Sequence, residues 1–186
     1  MSLSISTAVD PDSGAFGEVR YSIVNSALPK SKSLFKINST SGEITTTKTL
    51  DFEDLKKHIL IIRAADSESK DKTGLFYVVI SVDDVNDHKP EFVKPLYLTE
   101  VDITAAVSTR VVKVLAVDAD SAANAQIKYS ITGGNDENAF YIDQNTGAVH
   151  VAKVLSPLIK TYKLTVQAFD NGVPSLSNSV NVEVGC

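Results

Sequence analysis

Apolar and polar residues alternate along much of this chain. Leu164, Val166 and Ala168 fall on one side of a strand and Lys163, Thr165 and Gln167 on the other, the period of two that a half-buried β-strand imposes because successive side chains point to opposite faces. The runs Ile59 to Ala65, Phe76 to Val82, Val111 to Val117 and Tyr162 to Phe169 read as strands of this kind, separated by turn sequences such as Ser41-Gly42 and Asn145-Thr146-Gly147. No sustained period of 3.6 residues competes with them. Several short strands with regular turn signals predict an all-β chain folded as antiparallel sandwiches.

The pattern also recurs at long range. Asp10-Pro11-Asp12 matches Asp118-Ala119-Asp120, and Tyr21-Ser22-Ile23 matches Tyr129-Ser130-Ile131, both 108 positions apart. Phe35-Lys36-Ile37 and Gly42-Glu43-Ile44 find Phe140-Tyr141-Ile142 and Gly147-Ala148-Val149 at an offset of 105, and Ala65-Asp66 finds Phe169-Asp170 at 104. Unequal loops produce such drift, so the chain reads as two tandem copies of one module, at residues 1–87 and 88–186. Tyr21 with Tyr129, and Phe35 with Phe140, occupy equivalent places, and their duplication marks them as core residues.

Composition narrows the chemistry. At 186 residues with 43% hydrophobic content, each half has enough apolar material for its own core. The net charge of −5 argues against a nucleic-acid backbone or an anionic membrane surface as main partner and fits divalent cations. The longest uninterrupted aliphatic run, Ile59 to Ile62, falls far short of the ~20 apolar residues of a membrane-spanning helix. Residues 1–7 lack the basic start and apolar stretch of a signal peptide, which by itself assigns no compartment. Cys186 is the only cysteine, so one molecule can build neither a disulfide framework nor a zinc site of cysteine pairs. His58, His88 and His150 lack paired zinc spacing and there is no Gly-x-Ser-x-Gly elbow, so nothing predicts an enzyme. Asn38-Ser39-Thr40 is a formal N-glycosylation acceptor, meaningful in a secreted protein.

The candidate chemistry gathers at the midpoint. Asp84-Val85-Asn86-Asp87-His88-Lys89-Pro90-Glu91-Phe92 is rich in the hard oxygen donors that Ca²⁺ prefers, and Pro90 stiffens its exit. Asp118 and Asp120 are two apart at the end of a predicted strand, and would project to one side if the extended geometry persisted. Asp51 and Glu53 repeat that spacing, and Asp170 follows the strand ending at Phe169. With Asp87 these make six carboxylates. Gathered near one joint they would repel by about 1 kcal/mol per pair at 4 Å in water, and several times that near a protein surface. Cations are required, and three Ca²⁺ ions balance the six charges; Mg²⁺ demands stricter octahedral geometry and fits less well. Each acid pair could instead simply cap a turn. Recurrence of the same spacing in both copies and the linker favours the metal.

Taken together, Asp118-Ala119-Asp120, Leu50-Asp51-Phe52-Glu53, Asp84-Val85-Asn86-Asp87 and Ala168-Phe169-Asp170 resemble the calcium motifs of cadherin repeats, over nearly the whole chain. The resemblance implies two tandem Greek-key β-sandwiches, immunoglobulin-like cadherin repeats joined end to end, with three calcium ions at a complete junction. It implies that Asp51, Glu53, Asp87, Asp118, Asp120 and Asp170 bind through carboxylates, Asn86 through its amide oxygen, and Val85, His88 and Asn124 through backbone carbonyls. The implied function is calcium-dependent cell–cell adhesion, with other cadherin ectodomains as homophilic or heterophilic partners, on the extracellular side of the plasma membrane, in a membrane-anchored parent. The chain has no tryptophan and so cannot insert an N-terminal Trp into a partner as classical cadherins do; it is more similar to a protocadherin or a long atypical cadherin.

Three departures qualify the resemblance. The first repeat starts at what reads as its second strand, without the opening Glu of the family, so it is expected to be N-terminally truncated. Glu100 matches that Glu in the second repeat but would serve a further junction downstream. Where the first copy has Leu50-Asp51-Phe52-Glu53 the second has Leu155-Ser156-Pro157-Leu158, so a downstream joint should hold calcium poorly. Asp10, Asp12 and Asp66 look like the receiving half of an upstream joint, and are expected to hold no metal in this chain. A second reading is a non-adhesive β-sandwich module of a secreted carbohydrate-binding or enzyme-associated protein, which an exposed aromatic strip would favour; none is evident.

Overall fold

The computed structural model describes residues 2–3, 18–66 and 72–186, and the chain divides into two compact units, Met1–Asp83 and Asp84–Cys186. The first contains β1 (Ser2–Leu3), β2 (Val19–Ser26), a five-residue helix α1 (Pro29–Ser33), β3 (Phe35–Ile37), β4 (Ile44–Thr46), β5 (Lys57–Asp66) and β6 (Thr73–Ser81). They form two antiparallel sheets, β1-β4-β3 and β2-β5-β6. The helix was not anticipated, because one turn opened by Pro29 is too short to display a period.

The second unit contains β7 (Glu91–Phe92), β8 (Leu96–Glu100), β9 (Arg110–Lys113), β10 (Ala116–Val117), β11 (Lys128–Gly133), β12 (Phe140–Ile142), β13 (Ala148–Val151), β14 (Thr161–Phe169) and β15 (Ser177–Gly185). Its sheets are β11-β14-β15-β8 and β12-β13-β9, with β10 paired to β7. All pairings are antiparallel except β8 on β15. Among the described residues of the first unit no strand takes the place beside β6 that β8 takes beside β15.

The alternation read from sequence holds in β14. Leu164, Val166 and Ala168 are buried, while Lys163 is exposed and Thr165 and Gln167 are half-buried. Full burial of a side chain the size of Leu164 or Val166 contributes about 1.5–3 kcal/mol. Tyr21, Phe35, Leu60 and Ile62 anchor the first core, and Tyr129, Phe140, Leu164 and Val166 the second, as the duplicated positions predicted. The run Val111 to Val117 is not one strand. It breaks into β9 and β10 because Tyr97 Oη donates to the Leu115 carbonyl and accepts its N–H, at 3.1 and 3.0 Å, while Tyr129 Oη accepts the Ala116 N–H at 2.9 Å. Two buried phenols thus replace the ladder bonds at the step.

The outer faces of the two long hairpins differ sharply. On β5 and β6 the outward positions are Ile59, Ile61, Leu75, Tyr77 and Val79, the last three 64, 71 and 54% exposed. At the equivalent places on β14 and β15 stand Lys163, Thr165, Ser179, Asn181 and Glu183. One module therefore carries an apolar patch where its copy is polar.

His58, 2% exposed, replaces in the first core the Tyr162 of the second, and both rings meet a phenylalanine edge-on: Phe35 with His58 at 5.1 Å, Phe140 with Tyr162 at 5.0 Å. His58 Nδ1 lies 2.9 Å from Ser31 Oγ. Burial lowers its pKa below the ordinary 6.5, partly offset by the Asp54 charge. A depressed folded pKa means the stabilisation is complete above about 6.5 and is lost as pH falls through that range. Between pH 7.5 and 5.5 the thermal midpoint of the first unit is expected to drop further in the wild type than in His58→Tyr, as followed by scanning calorimetry; equal drops would assign the acid sensitivity elsewhere.

Candidate metal centre

The segment 84–88 is tied to the second unit by side-chain hydrogen bonds. Asp84 Oδ2 accepts from Ser121 N–H at 3.2 Å and from Ser121 Oγ and Asn124 Nδ2, each at 3.1 Å. Asn86 Nδ2 donates to both oxygens of Asp170 at 3.1 Å and to the Pro174 carbonyl at 2.7 Å. His88 N–H donates to Asp120 Oδ2 at 3.3 Å, and its Nδ1 lies 3.0 Å from Asp120 Oδ1 and 2.9 Å from Asp87 Oδ1. The hydrogen bond to Asp120 is the main reason the His88 pKa is raised, with the Asp87 and Asp120 charges adding to it.

Behind this segment lie the carboxylates of the unit itself. Asp120 is 7% and Asp170 2% exposed. Asp170 accepts the Gly172 N–H at 3.0 Å and the Leu176 N–H at 3.0 and 3.1 Å. Strand β10 ends at Val117, so the strand does not persist through Asp118 and Asp120, and Asp118 Oδ1 turns back to accept the Asp120 N–H at 3.0 Å. An Asx turn, competing with the extended strand, sets their relation. Burial raises the Asp118 pKa, and the neighbouring negative charges of Asp120 and Asp170 raise it further, against the lowering by the Asp120 N–H.

Four buried side-chain polar atoms among the described residues have no hydrogen-bond partner, and three are oxygens of this neighbourhood: Asp84 Oδ1, Asn86 Oδ1 and Asp118 Oδ2. Leaving a buried acceptor unpaired costs about 1–3 kcal/mol, so three in one unit call for a ligand that accepts lone pairs. A hard cation does this, and carboxylate and amide oxygens without thiolate are the donor set of Ca²⁺. When bound, such an ion supplies positive charge and coordination, with no reaction. Gly172 belongs to the same arrangement: a Cβ there would lie 2.2 Å from Asn86 Nδ2 and 2.3 Å from its Cγ. The bare backbone leaves room for the Asn86 amide, whose nitrogen donates to Asp170 and Pro174 and so fixes where its oxygen lies.

The structure thus brings Asn86, Asp87, His88, Asp118, Asp120 and Asp170 into one hydrogen-bonded and electrostatic network. The Val85 carbonyl accepts the Asp87 N–H at 2.8 Å, and Asn124 N–H donates to the Ser121 carbonyl at 3.0 Å. Asp84 lies in the acidic linker but is not among the ligands that the resemblance implies. Its bonds to Ser121 and Asn124, 37 and 40 residues away, leave no mark on local sequence.

Asp51 and Glu53 belong to the first unit, both exposed, and Asp51 Oδ1 accepts the Glu53 and Asp54 N–H groups at 2.9 and 3.1 Å. In the second unit Ser156 Oγ accepts the Leu158 N–H at 3.4 Å in the equivalent turn. The turn therefore does not require acids, and turn chemistry alone does not account for both at 51 and 53. Asp66 is 7% exposed; Asp10 and Asp12 lie outside the described residues.

Known proteins resemble this chain in sequence and in fold. The profile of the cadherin domain matches residues 2–83 and 97–185. Human Protocadherin Fat 4 is 35% identical over 178 residues, 95% of this chain and 4% of that protein. The crystal structure of mouse cadherin-23 EC22-24 superimposes with a TM-score of 0.89 at 31% identity, over 98% of this chain and 58% of the other. The protocadherin gammaB7 EC3-6 cis-dimer structure gives 0.90 at 31% identity, over 100% of this chain and 46% of the other. The chain spans only 3 to 5% of the length of the curated relatives it matches.

Two substitutions test the centre. At ~1 mM Ca²⁺ and a Kd of ~0.1 mM, one site stabilises the folded state by about 1.4 kcal/mol, several degrees of thermal midpoint for a domain of this size. Gly172→Ala is expected to remove most of that gain, although it alters no oxygen, by pushing the Asn86 amide aside. Asp118→Asn is expected to lose the gain while leaving the calcium-free unit at least as stable at pH 7. The sign follows because a raised carboxyl pKa stabilises fully below the unfolded value of 3.8 and is lost as pH rises through the folded one. Calorimetry with and without Ca²⁺ reads both.

Proposed function

The chain belongs to the cadherin family, and on that footing we propose that it is a rigid tandem segment of a larger extracellular region that supports calcium-dependent cell–cell adhesion. Its two repeats are adhesion modules and not enzymes. The observation that carries the calcium reading is the set of three unpaired buried oxygens, Asp84 Oδ1, Asn86 Oδ1 and Asp118 Oδ2, beside clustered carboxylates. Calcium bound through Asn86, Asp87, Asp118, Asp120 and Asp170, and through Asp51 and Glu53 of the preceding repeat, converts a self-repelling linker into a stiff one. The carbonyls of Val85, His88 and Asn124 complete the ligand set. Chelation is expected to increase bending between the repeats in small-angle scattering while circular dichroism shows both sandwiches still folded. Glu53→Ala should reproduce the chelated profile in the presence of Ca²⁺; an envelope indifferent to calcium removes the stiffening mechanism.

The partner under this reading is another cadherin ectodomain, which agrees with a gammaB7 protocadherin having been solved as a cis-dimer. The apolar patch of Ile59, Ile61, Leu75, Tyr77 and Val79 supports a contact role over a pure spacer role. Exposed aliphatic and aromatic side chains clustered on one sheet face are the usual mark of an interaction site, and the polar copy of that face in the second unit shows that the sandwich does not need them. Lys57 and Arg63 share the outward face of β5, whereas the whole chain carries −5, so an acidic surface of a second ectodomain complements it. Sedimentation in ~1 mM Ca²⁺ is expected to show self-association that Tyr77→Lys with Val79→Glu abolishes. A wild type that stays monomeric at high concentration makes these repeats spacers.

A further inference from the structure

We infer that Asn38 carries an N-linked glycan. Asn38-Ser39-Thr40 is the only Asn-x-Ser/Thr sequence in the chain. It occupies the β3–β4 turn, where all three residues are exposed. Asn38 Oδ1 accepts the Thr40 and Ser41 N–H groups at 2.9 and 3.0 Å. Because both donors are backbone N–H groups, the atom facing them must be the oxygen, and the amide nitrogen points away from the turn.

The second module shows what this turn requires. There Asp143 Oδ1 accepts the Asn145 and Thr146 N–H groups at the same 2.9 and 3.0 Å. The backbone frame is also the same: Gly42 N–H to the Asn38 carbonyl and Gly147 N–H to that of Asp143 are both 2.9 Å, and the glycines have φ of 72° and 71°. Ser39 and Gln144 carbonyls accept the Tyr21 and Tyr129 N–H groups at 2.8 and 2.9 Å. A side-chain oxygen is therefore all that the fold asks of this position. The turn uses neither the amide nitrogen of Asn38 nor the hydroxyl of Thr40, which accepts only a long, exposed hydrogen bond from Arg20 Nη1 at 3.4 Å, and together they are the two groups that an N-glycosylation acceptor needs.

The reaction uses a lipid-pyrophosphate-linked oligosaccharide and the transferase of the secretory pathway. Asn38 Nδ2 forms a bond to C1 of the first sugar, the bond from C1 to the pyrophosphate oxygen breaks, the lipid pyrophosphate leaves, and one amide proton passes to a base of the transferase. Oδ1 remains an acceptor afterwards, so the turn survives with the glycan projecting into solvent.

The test is secretion of the full chain from animal cells behind a cleavable leader, so that the outcome depends on Asn38 and not on the adhesive reading. The wild type is expected to be heavier than its sequence mass, to collapse to a single species with peptide N-glycosidase, and to show conversion of Asn38 to aspartate in the peptide map. Asn38→Asp, which keeps the turn oxygen, and Thr40→Ala, which keeps Asn38, are each expected to be secreted folded, without the mass shift and with an unchanged circular dichroism spectrum. Secreted, folded wild type at its bare sequence mass, or a shift that persists in Thr40→Ala, overturns the proposal.

Discussion

The charges of Asp120 and Asp170 act on Asp118 in the second sandwich, and among the described residues the ring of His88 is the ion-pair partner of this group. Backbone N–H groups, the Asn86 amide and the exposed His88 ring absorb part of the charge. Burial first, and then the charge that remains on Asp120 and Asp170, raises the Asp118 pKa, and three buried oxygens of this neighbourhood have no donor among the described residues. Self-repulsion of this kind is tolerable at a site meant to be completed by a cation, since the ion's own charge inverts the local electrostatics. The segment 84–88 depends on the same arrangement. Its side chains reach the second sandwich through Asp120, Asp170, the Pro174 carbonyl and the Ser121–Asn124 turn.

Internal duplication acts as a control for each of these assignments. Where both copies share a residue type in the same frame, as with Tyr21 and Tyr129 or Phe35 and Phe140, folding explains it. Differences within one frame point instead to something beyond folding. Ser156 closes the turn that Asp51 closes, Asp143 closes the one that Asn38 closes, and the polar hairpin face of β14–β15 answers the apolar one of β5–β6. In each case the backbone is satisfied by either choice, so the chemistry of the side chain is available for other use.

Much of this was legible in the chain itself. Period-two alternation identified β5, β6 and β14, because a strand places neighbours on opposite faces wherever it lies. The offsets of 104 to 108 residues located the repeat, and its paired acids named most of the metal-binding candidates. Less visible was anything set by contacts between distant residues. The break between β9 and β10 is made by Tyr97 and Tyr129 hydroxyls arriving from other strands, and the importance of Asp84 rests on Ser121 and Asn124. Gly172 reads in sequence as an ordinary turn glycine, and its closeness to Asn86 exists only once the chain has folded.

Sequence alone determined the all-β class, the two modules, the core aromatics and the acidic residues, for these follow from side-chain type and spacing, which act locally. Tertiary structure decided which oxygens lack donors, that Asp118 and Asp120 meet through an Asx turn instead of along a strand, and that His58 stands in for the Tyr162 of the other core. The physical reason is one of range. Alternation and turn chemistry are written within a few residues, whereas burial, satisfaction of a lone pair and the field at a carboxylate are sums over groups that only the folded chain brings together.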